Sequence, residues 1–503
     1  MVTIIGGWQS DFSRNWAREG NEIADGFAEA LARGLEETGL EPSDIQTGHV
    51  GNFVADMFAK QGLLGGLFAQ VHPELDGLPT SRHEAACASG SMAVLAASAE
   101  IEAGRYDTAC VLGIELMRNV PGQQAAENLG AAIWQGHELQ DAVFPWPRAF
   151  SDLAEEYEKR YGLDYAHLMQ ISQVNFANGR RNPNAQTRGW QFTDKSFTAC
   201  DEANPVVEGR TRKMDCGQVT DGAAVIFLAS DEWAAEWARK QGRSVESLSR
   251  IAGWGHRSAP LSYRSKVKAS ADETYVFPQV RRAILEARER AGIDLAQIDA
   301  IETHDCFAMT EYMAIDHLGL TAPGESWKAI EEGVIEMGGR LPINASGGLI
   351  GLGHPVGAYL VEHRPDRCYA ALRVGIRGIH DVDQQVGIHR HVEGGLEGLH
   401  QLVRQLADEA NGVAQEHRLA TGQLEASGGG VQGGEEPVLD EDAGVGQVVQ
   451  ERGLAGVGVA HDGHRPVARP LPGLGLGGAV PADPTQVRLE ARDASHEAPP
   501  VHL

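Results

Sequence analysis

The apolar residues Ile23, Phe27, Ala30, Leu31 and Leu35 recur three and four positions apart, which predicts an amphipathic helix from about Glu22 to Thr38 with its stop at Gly39. Short apolar runs on either side, Val2 to Gly6 and Ile45 to Val54, read as strands. Strand, helix, strand is the grammar of an α/β layer. Further on, Ser91 to Ala99 is small or apolar on nearly every face, which suits a helix buried between two layers. It leads through Gly104-Arg-Tyr-Asp107 into an apolar strand, Thr108 to Glu115, on which Cys110 reads as core filling. From Asn119 to about Asp215 the pattern loosens around one helix near Phe150 to Arg160. That stretch is too long for a plain connection and reads as an inserted lobe. Val219 to Ser230 then returns as a core strand.

The second half repeats the first. Gly39-Leu-Glu-Pro-Ser-Asp-Ile45 matches Gly292-Ile-Asp-Leu-Ala-Gln-Ile298, and Ala88-Ser-Gly90 matches Ala345-Ser-Gly347, at offsets of 253 and 257 residues. Two similar α/β halves are therefore expected, 1–230 with its lobe at about 119–215, and 231–358. Residues 359–503 differ in kind. They contain no Trp, Phe, Met or Lys, yet hold 10 of the 19 histidines, and Gly428-Gly-Gly430 and Gly433-Gly434 dilute them further. Such a stretch lacks apolar surface for a core of its own.

A formal charge of -27 argues against nucleic acid as the main partner. Arg180-Arg181 and Arg210-Thr-Arg-Lys213 are local exceptions that read as solvated surface, or as contacts for a phosphorylated ligand. No window is long and apolar enough to span a membrane, and the start shows no signal-peptide pattern. The six cysteines are scattered without metal-ligand spacing, which fits a reducing, cytoplasmic setting and gives no motif for a bound metal.

One of them is placed for chemistry. Cys87 stands just ahead of the buried helix, where unsatisfied N–H groups and the helix dipole favour a thiolate and any oxyanion beside it. A buried cysteine acting as a small hydrophobe is the alternative on that segment alone. Two other segments stand out, each at the end of an expected strand or in a glycine-rich turn: Glu302-Thr-His304-Asp305-Cys306-Phe307 and Asn344-Ala-Ser-Gly-Gly-Leu-Ile-Gly-Leu-Gly-His354-Pro-Val-Gly-Ala358. The many glycines around His354 imply a backbone that passes close to its neighbours. Their order does not fit a dinucleotide fingerprint.

Together these segments resemble the thiolase family. Cys87-Ala-Ser-Gly resembles its nucleophile loop, Gly113-Ile-Glu-Leu-Met117 with Asn119-Val-Pro121 the strand and turn after it, and Gly353-His-Pro-Val-Gly-Ala358 its histidine loop. His304-Asp-Cys-Phe307 resembles the variant of the sterol-carrier-protein type, and Met214-Asp-Cys216-Gly the turn that ends the lobe. The resemblance covers residues 1 to 358. It implies a thiolase fold, a homodimer or homotetramer, acyl-CoA and acetyl-CoA as substrates, no covalently bound cofactor, and a place in lipid metabolism such as fatty-acid β-oxidation. It also implies two-step acyl transfer: Cys87 takes the acyl group, His354 takes and returns a proton, and His304 with His354 donates to the enolate oxygen.

The chain departs from that pattern after Ala358. The family continues with a helix, two strands and a second reactive cysteine in a Cys-x-Gly turn, and no cysteine of this chain stands in one. Tyr359 to Cys368 instead carries Pro365, which breaks helices. The tail is therefore expected to be either a genuine disordered appendage or the product of a shifted reading frame. In both cases the second half would be truncated, with an open sheet edge. Cys306 is the candidate to replace the missing base. A thiolase-like lyase or scaffold working with a small partner protein is the alternative function.

Overall fold

A computed structural model describes residues 1–358, together with the backbone of two strands in the tail. The strands are β1 (Val2–Gln9), β2 (Thr47–Gly51), β3 (Thr80–His83), β4 (Thr108–Glu115), β5 (Val206–Glu208), β6 (Thr211–Arg212), β7 (Gly222–Ser230), β8 (Ser249–Arg257), β9 (Ala300–Thr303), β10 (Ala371–Ile376) and β11 (Gln384–Arg390). Nine of them form one mixed sheet in the order β3-β2-β4-β7-β1-β8-β11-β10-β9, while β5 and β6 make a separate ribbon. The pairs β2–β3, β2–β4 and β9–β10 are parallel and the remaining neighbours antiparallel.

The apolar strands are continuous because both faces of the first half are covered. Cys110, Leu112 and Ile114 on β4, with Val225 and Phe227 on β7, meet Phe27, Leu31 and Leu35 of the Ile23–Thr38 helix. The alternate residues, Ala109, Val111, Ala224 and Ile226, meet Ala93, Ala97 and Ile101 of the Ser89–Glu102 helix on the other face. Each fully buried Leu or Phe there contributes about 2 kcal/mol. The layer positions the site, since the second helix is the one that follows Cys87.

The repeat has a physical counterpart. Gly39 and Gly292 both end a helix in the left-handed conformation, at φ 65° and 66°, and both lead through a single 3-10 turn to a parallel strand, β2 or β9. The helix of the second half, Pro278–Ala291, comes so close to β8 that a Cβ on Gly255 would sit 1.9 Å from Ala283 O.

Several boundaries differ from the sequence expectation. The strand placed at Ile45 to Val54 shrinks to Thr47–Gly51, because Asn52 to Val54 peel away to hydrogen-bond Glu115. The lobe holds two long helices, Pro145–Tyr161 and Tyr165–Arg181, where one was expected. With the wholly buried Ala308–Leu318 helix they bury Phe150, Tyr157, Ile171, Phe176, Tyr312 and Ile315 in one core, so the lobe is seated on the second half. An open sheet edge was expected in the second half, and β9 does end the sheet, but two tail strands stand between it and β8. β11 pairs with β8, and β10 runs parallel to β9 as β4 runs parallel to β2. The rest of the tail, including the question of its reading frame, lies outside the described residues.

Candidate active site

Cys87 is placed by a tight turn. After β3 the chain passes through Ala86 at φ 44°, a left-handed value that costs a non-glycine residue about 1–2 kcal/mol, then makes one 3-10 turn and enters the Ser89–Glu102 helix. Ser89 Oγ accepts from Ala85 N at 2.8 Å and donates to Ala86 O at 2.6 Å, locking the turn. Close backbone approach fixes its depth: a Cβ on Gly51 would lie 2.5 Å from Gly90 Cα.

The histidine loop is built from longer-range contacts. Asn344, Gly347, Gly348 and Gly353 all take positive φ, the last at 121°. Asp305 Oδ1 accepts from Leu349 N at 2.6 Å, and its Oδ2 from Ile350 N at 3.2 Å and Asn175 Nδ2 at 2.9 Å. A side chain at Gly348 would collide with that carboxylate, its Cβ 2.2 Å from Oδ2. Glu311 joins Asn175 to Asn344, and Asn344 Oδ1 accepts from Thr303 N at the end of β9. His354 N itself donates to Thr220 Oγ1 at 2.8 Å and to Gln218 O at 3.0 Å. On the far side Glu115 accepts from Phe53 N, Asn52 Nδ2 and Gly357 N, tying β4 to the chain just after His354.

These supports bring three of the candidate side chains together. One donor atom each from Cys87, His304 and His354 lies within 4.8 Å of the other two. The imidazoles meet edge to face with ring centres 5.4 Å apart. His304 Nε2 and His354 Nδ1 are buried without a hydrogen-bond partner. Burial and the neighbouring His354 hold the His304 ring well below its usual range, and burial holds His354 down to about 3. Both rings are therefore neutral near pH 7, so each presents one lone pair and one N–H.

The group opens on a cavity of about 70 Å³ lined by Cys87, His354, Met117, Phe144, Trp146 and Phe307, with Cys306, Cys216 and Gln218 also on its wall. Cys306 is 3% exposed, and burial together with Cys87 and Asp305 pushes its thiol well above the ordinary cysteine range. Cys216, read as structural, lines the same cavity while its thiol donates to Arg212 O at 3.2 Å. Asp305 does not pair with the adjacent His304. It turns the other way to hold the loop of the second histidine.

Two family descriptions match this chain: "Thiolase, N-terminal domain" over residues 2–188 and "Thiolase C-terminal domain-like" over residues 262–363. The chain belongs to the thiolase family. Among its thiolase relatives, the acetyl-CoA acetyltransferase of Methanothermobacter thermautotrophicus is 29% identical over 365 residues, which is 71% of this chain and 87% of that protein. Its counterpart in Methanocaldococcus jannaschii is 29% identical over 364 residues, 71% of this chain and 86% of that protein. Sterol carrier protein 2 of Gallus gallus is 24% identical over 377 residues, 73% of this chain and 65% of that longer protein. The solved structure of an Ltp2-ChsH2(DUF35) aldolase shares the fold, with TM-score 0.57 and 21% identity over 77% of this chain and 97% of that one. The relatives place the chain among the acyltransferase enzymes of the thiolase family. No helix among the described residues is long and apolar enough to cross a membrane.

The residues that orient this thiolase site were not singled out by the sequence reading. Glu115, Asp305, Asn175 and Glu311 are all buried polar groups contributed by different elements. Only Glu115 and Asp305 lay inside motifs, where a carboxylate at the end of an apolar strand was the available signal.

Proposed function

We propose that this enzyme forms or cleaves 3-ketoacyl-CoA through an acyl-cysteine intermediate on Cys87. The convergence of Cys87, His304 and His354 within 4.8 Å, beside an apolar cavity lined by Cys87 and His354, supports the reading best. Cys87 Sγ attacks the thioester carbonyl while neutral His354 takes the thiol proton, and the departing CoA sulfur recovers that proton. Contacts of this kind tighten from loose geometry once substrate is seated. A second acyl-CoA then loses an α-proton, its enolate carbon attacks the Cys87 thioester, and the Cys87 thiolate leaves and is reprotonated. N–H groups of His304 and His354 face the enolate oxygen, a contribution of about 3 kcal/mol for one such donor.

Cys306 is assigned the α-proton transfer, since it shares the cavity wall with Cys87 and no cysteine of the chain stands in a Cys-x-Gly turn: its thiol gives a proton to the enolate carbon in cleavage, and in synthesis it takes the α-proton as a thiolate after first losing its own proton to solvent. The apolar wall suits an acyl chain. The same reading places the enzyme in the cytoplasm, in lipid metabolism such as β-oxidation and as a homodimer or homotetramer, in line with free cysteines at positions 87, 110, 200, 216 and 306. The missing turn favours a second reading, a lyase acting with a small partner protein on CoA-linked side chains. Thiolytic assay of a 3-ketoacyl-CoA with free CoA separates the two. Appearance of two shorter acyl-CoA products is expected. An inert mixture, with activity only toward a β-hydroxy side chain in the presence of a partner, would replace the transferase with the lyase.

A further inference from the structure

Cys87, His304 and His354 also form a donor set that acyl transfer alone does not require. One sulfur and two imidazole nitrogens stand within 4.8 Å of one another, on side chains that are 5%, 4% and 9% exposed. No sequence spacing announces this set, because its members come from three distant loops. One ring nitrogen of each histidine, His304 Nε2 and His354 Nδ1, is buried with no partner, an arrangement that leaves desolvated polar atoms uncompensated. We propose that the three side chains bind a thiophilic divalent cation, Zn²⁺ above all, and that the ion reversibly caps the Cys87 sulfur.

The donors decide the class of ion. Sulfur and imidazole select zinc and similar metals, whereas calcium and magnesium need oxygen ligands. Asp305, the carboxylate next to His304 in sequence, has its oxygens committed to Leu349 N, Ile350 N and Asn175 Nδ2. A tetrahedral zinc holds sulfur and nitrogen donors roughly 3.5 Å apart, so the three atoms have to draw in by about an ångström. Neutral imidazoles bind without first losing a proton, while Cys87 gives its thiol proton to solvent as the S–Zn bond forms. Nothing is oxidised or reduced. The fourth position faces the cavity and takes water. A sulfur bound to zinc has its lone pair engaged and no longer attacks a carbonyl, so occupancy silences Cys87 without modifying it.

The proposal stands whether or not Cys87 carries acyl groups, and its test reads the metal rather than turnover. The full chain, reduced and stripped with chelator, is titrated with Co²⁺. A thiolate-to-cobalt charge-transfer band that saturates at one ion per chain and is erased by Zn²⁺ is expected. The tail histidines and Cys368 are able to hold cobalt too, so the titration is run in a Cys368→Ser background, where tail-bound cobalt gives no thiolate band. The band is lost in Cys87→Ser and weakened in His304→Ala and His354→Ala. In the unaltered protein, one equivalent of Zn²⁺ slows iodoacetamide alkylation of Cys87 by about tenfold or more and leaves the half-buried Cys200 unaffected, with chelator restoring the rate. Absence of the band, its persistence in Cys87→Ser, or unchanged alkylation of Cys87 would overturn the proposal, and the alkylation arm needs no variant to fold.

Discussion

The loop that carries Cys87 and the loop that carries His354 meet at one point, but they are shaped differently. The first is shaped mostly by its own residues, the left-handed Ala86, the Ser89 hydroxyl bonded to Ala85 and Ala86, and the helix that follows, with only its depth set from outside by Gly51. The second is held by partners elsewhere in the chain, with His354 N bonded to Thr220 across 134 positions and Gly357 N to Glu115 across 242. A nucleophile needs strain and a helix start, which local sequence provides. A proton carrier needs a fixed position relative to the nucleophile, which only the folded sheet provides. The Cys87 loop should therefore keep its shape when the supports of the His354 loop are damaged.

Replacing Cys87 with Ser should have the largest effect, lowering acyl transfer by about three orders of magnitude or more while the circular-dichroism spectrum is unchanged. Retained turnover would remove Cys87 from the chemistry. Asp305→Asn comes next. It leaves Cys87 untouched but sets an amide against the N–H groups of Leu349 and Ile350, at a cost of about 2 kcal/mol. Acyl transfer should fall roughly 10- to 100-fold with iodoacetamide alkylation of Cys87 little altered. Equal loss of both would mean that the two loops are not independently supported.

The histidine side also has a pH signature. His354 ordinarily titrates near 6.5 and is held to about 3 in the fold, so below 6.5 the unfolded chain takes up a proton that the folded chain refuses. Its contribution is complete above pH 6.5 and is lost as pH falls toward 3. His304 is shifted in the same direction by burial and by His354. Thermal midpoints should therefore drop on the acid side, and His354→Asn should flatten that slope. An identical slope in the variant would show that His354 is not held neutral. The smallest effects belong to the matched glycines. Gly39→Ala and Gly292→Ala, both at left-handed helix ends, should each cost about 1 kcal/mol and leave acyl transfer alone. Unequal costs would break the symmetry between the halves.

The same division explains what the sequence disclosed. The Ile23–Thr38 helix, β4 and the paired Gly39 and Gly292 turns were legible because their signals are local: helical spacing, an apolar run, a glycine stop. The candidates Cys87, His304, Cys306 and His354 were singled out by their short motifs, and the fold brings Cys87, His304 and His354 within 4.8 Å of one another. The lobe's second helix was not legible, because Tyr165–Arg181 buries Ser172, Asn175 and Asn178 among its apolar residues and shows only a weak stripe. Asn175 on that helix looks like any polar residue until the fold puts it between Asp305 and Glu311. Strands β10 and β11 were missed for a different reason: their pairing partners, β9 and β8, lie in another region of the chain, and short runs of Val, Ile and Leu in a glycine-rich tail carry little local signal.

The central claim is that Cys87 receives an acyl group with His354 carrying its proton. It is tested most directly by mixing the full chain with acetyl-CoA, quenching in acid and locating the added acetyl mass by peptide mass spectrometry. The account predicts acetylated Cys87 in the unaltered protein, much slower acetylation in His354→Asn, and no label on the other cysteines. A label on another residue, or acetylation of Cys87 at the same rate without His354, would contradict it.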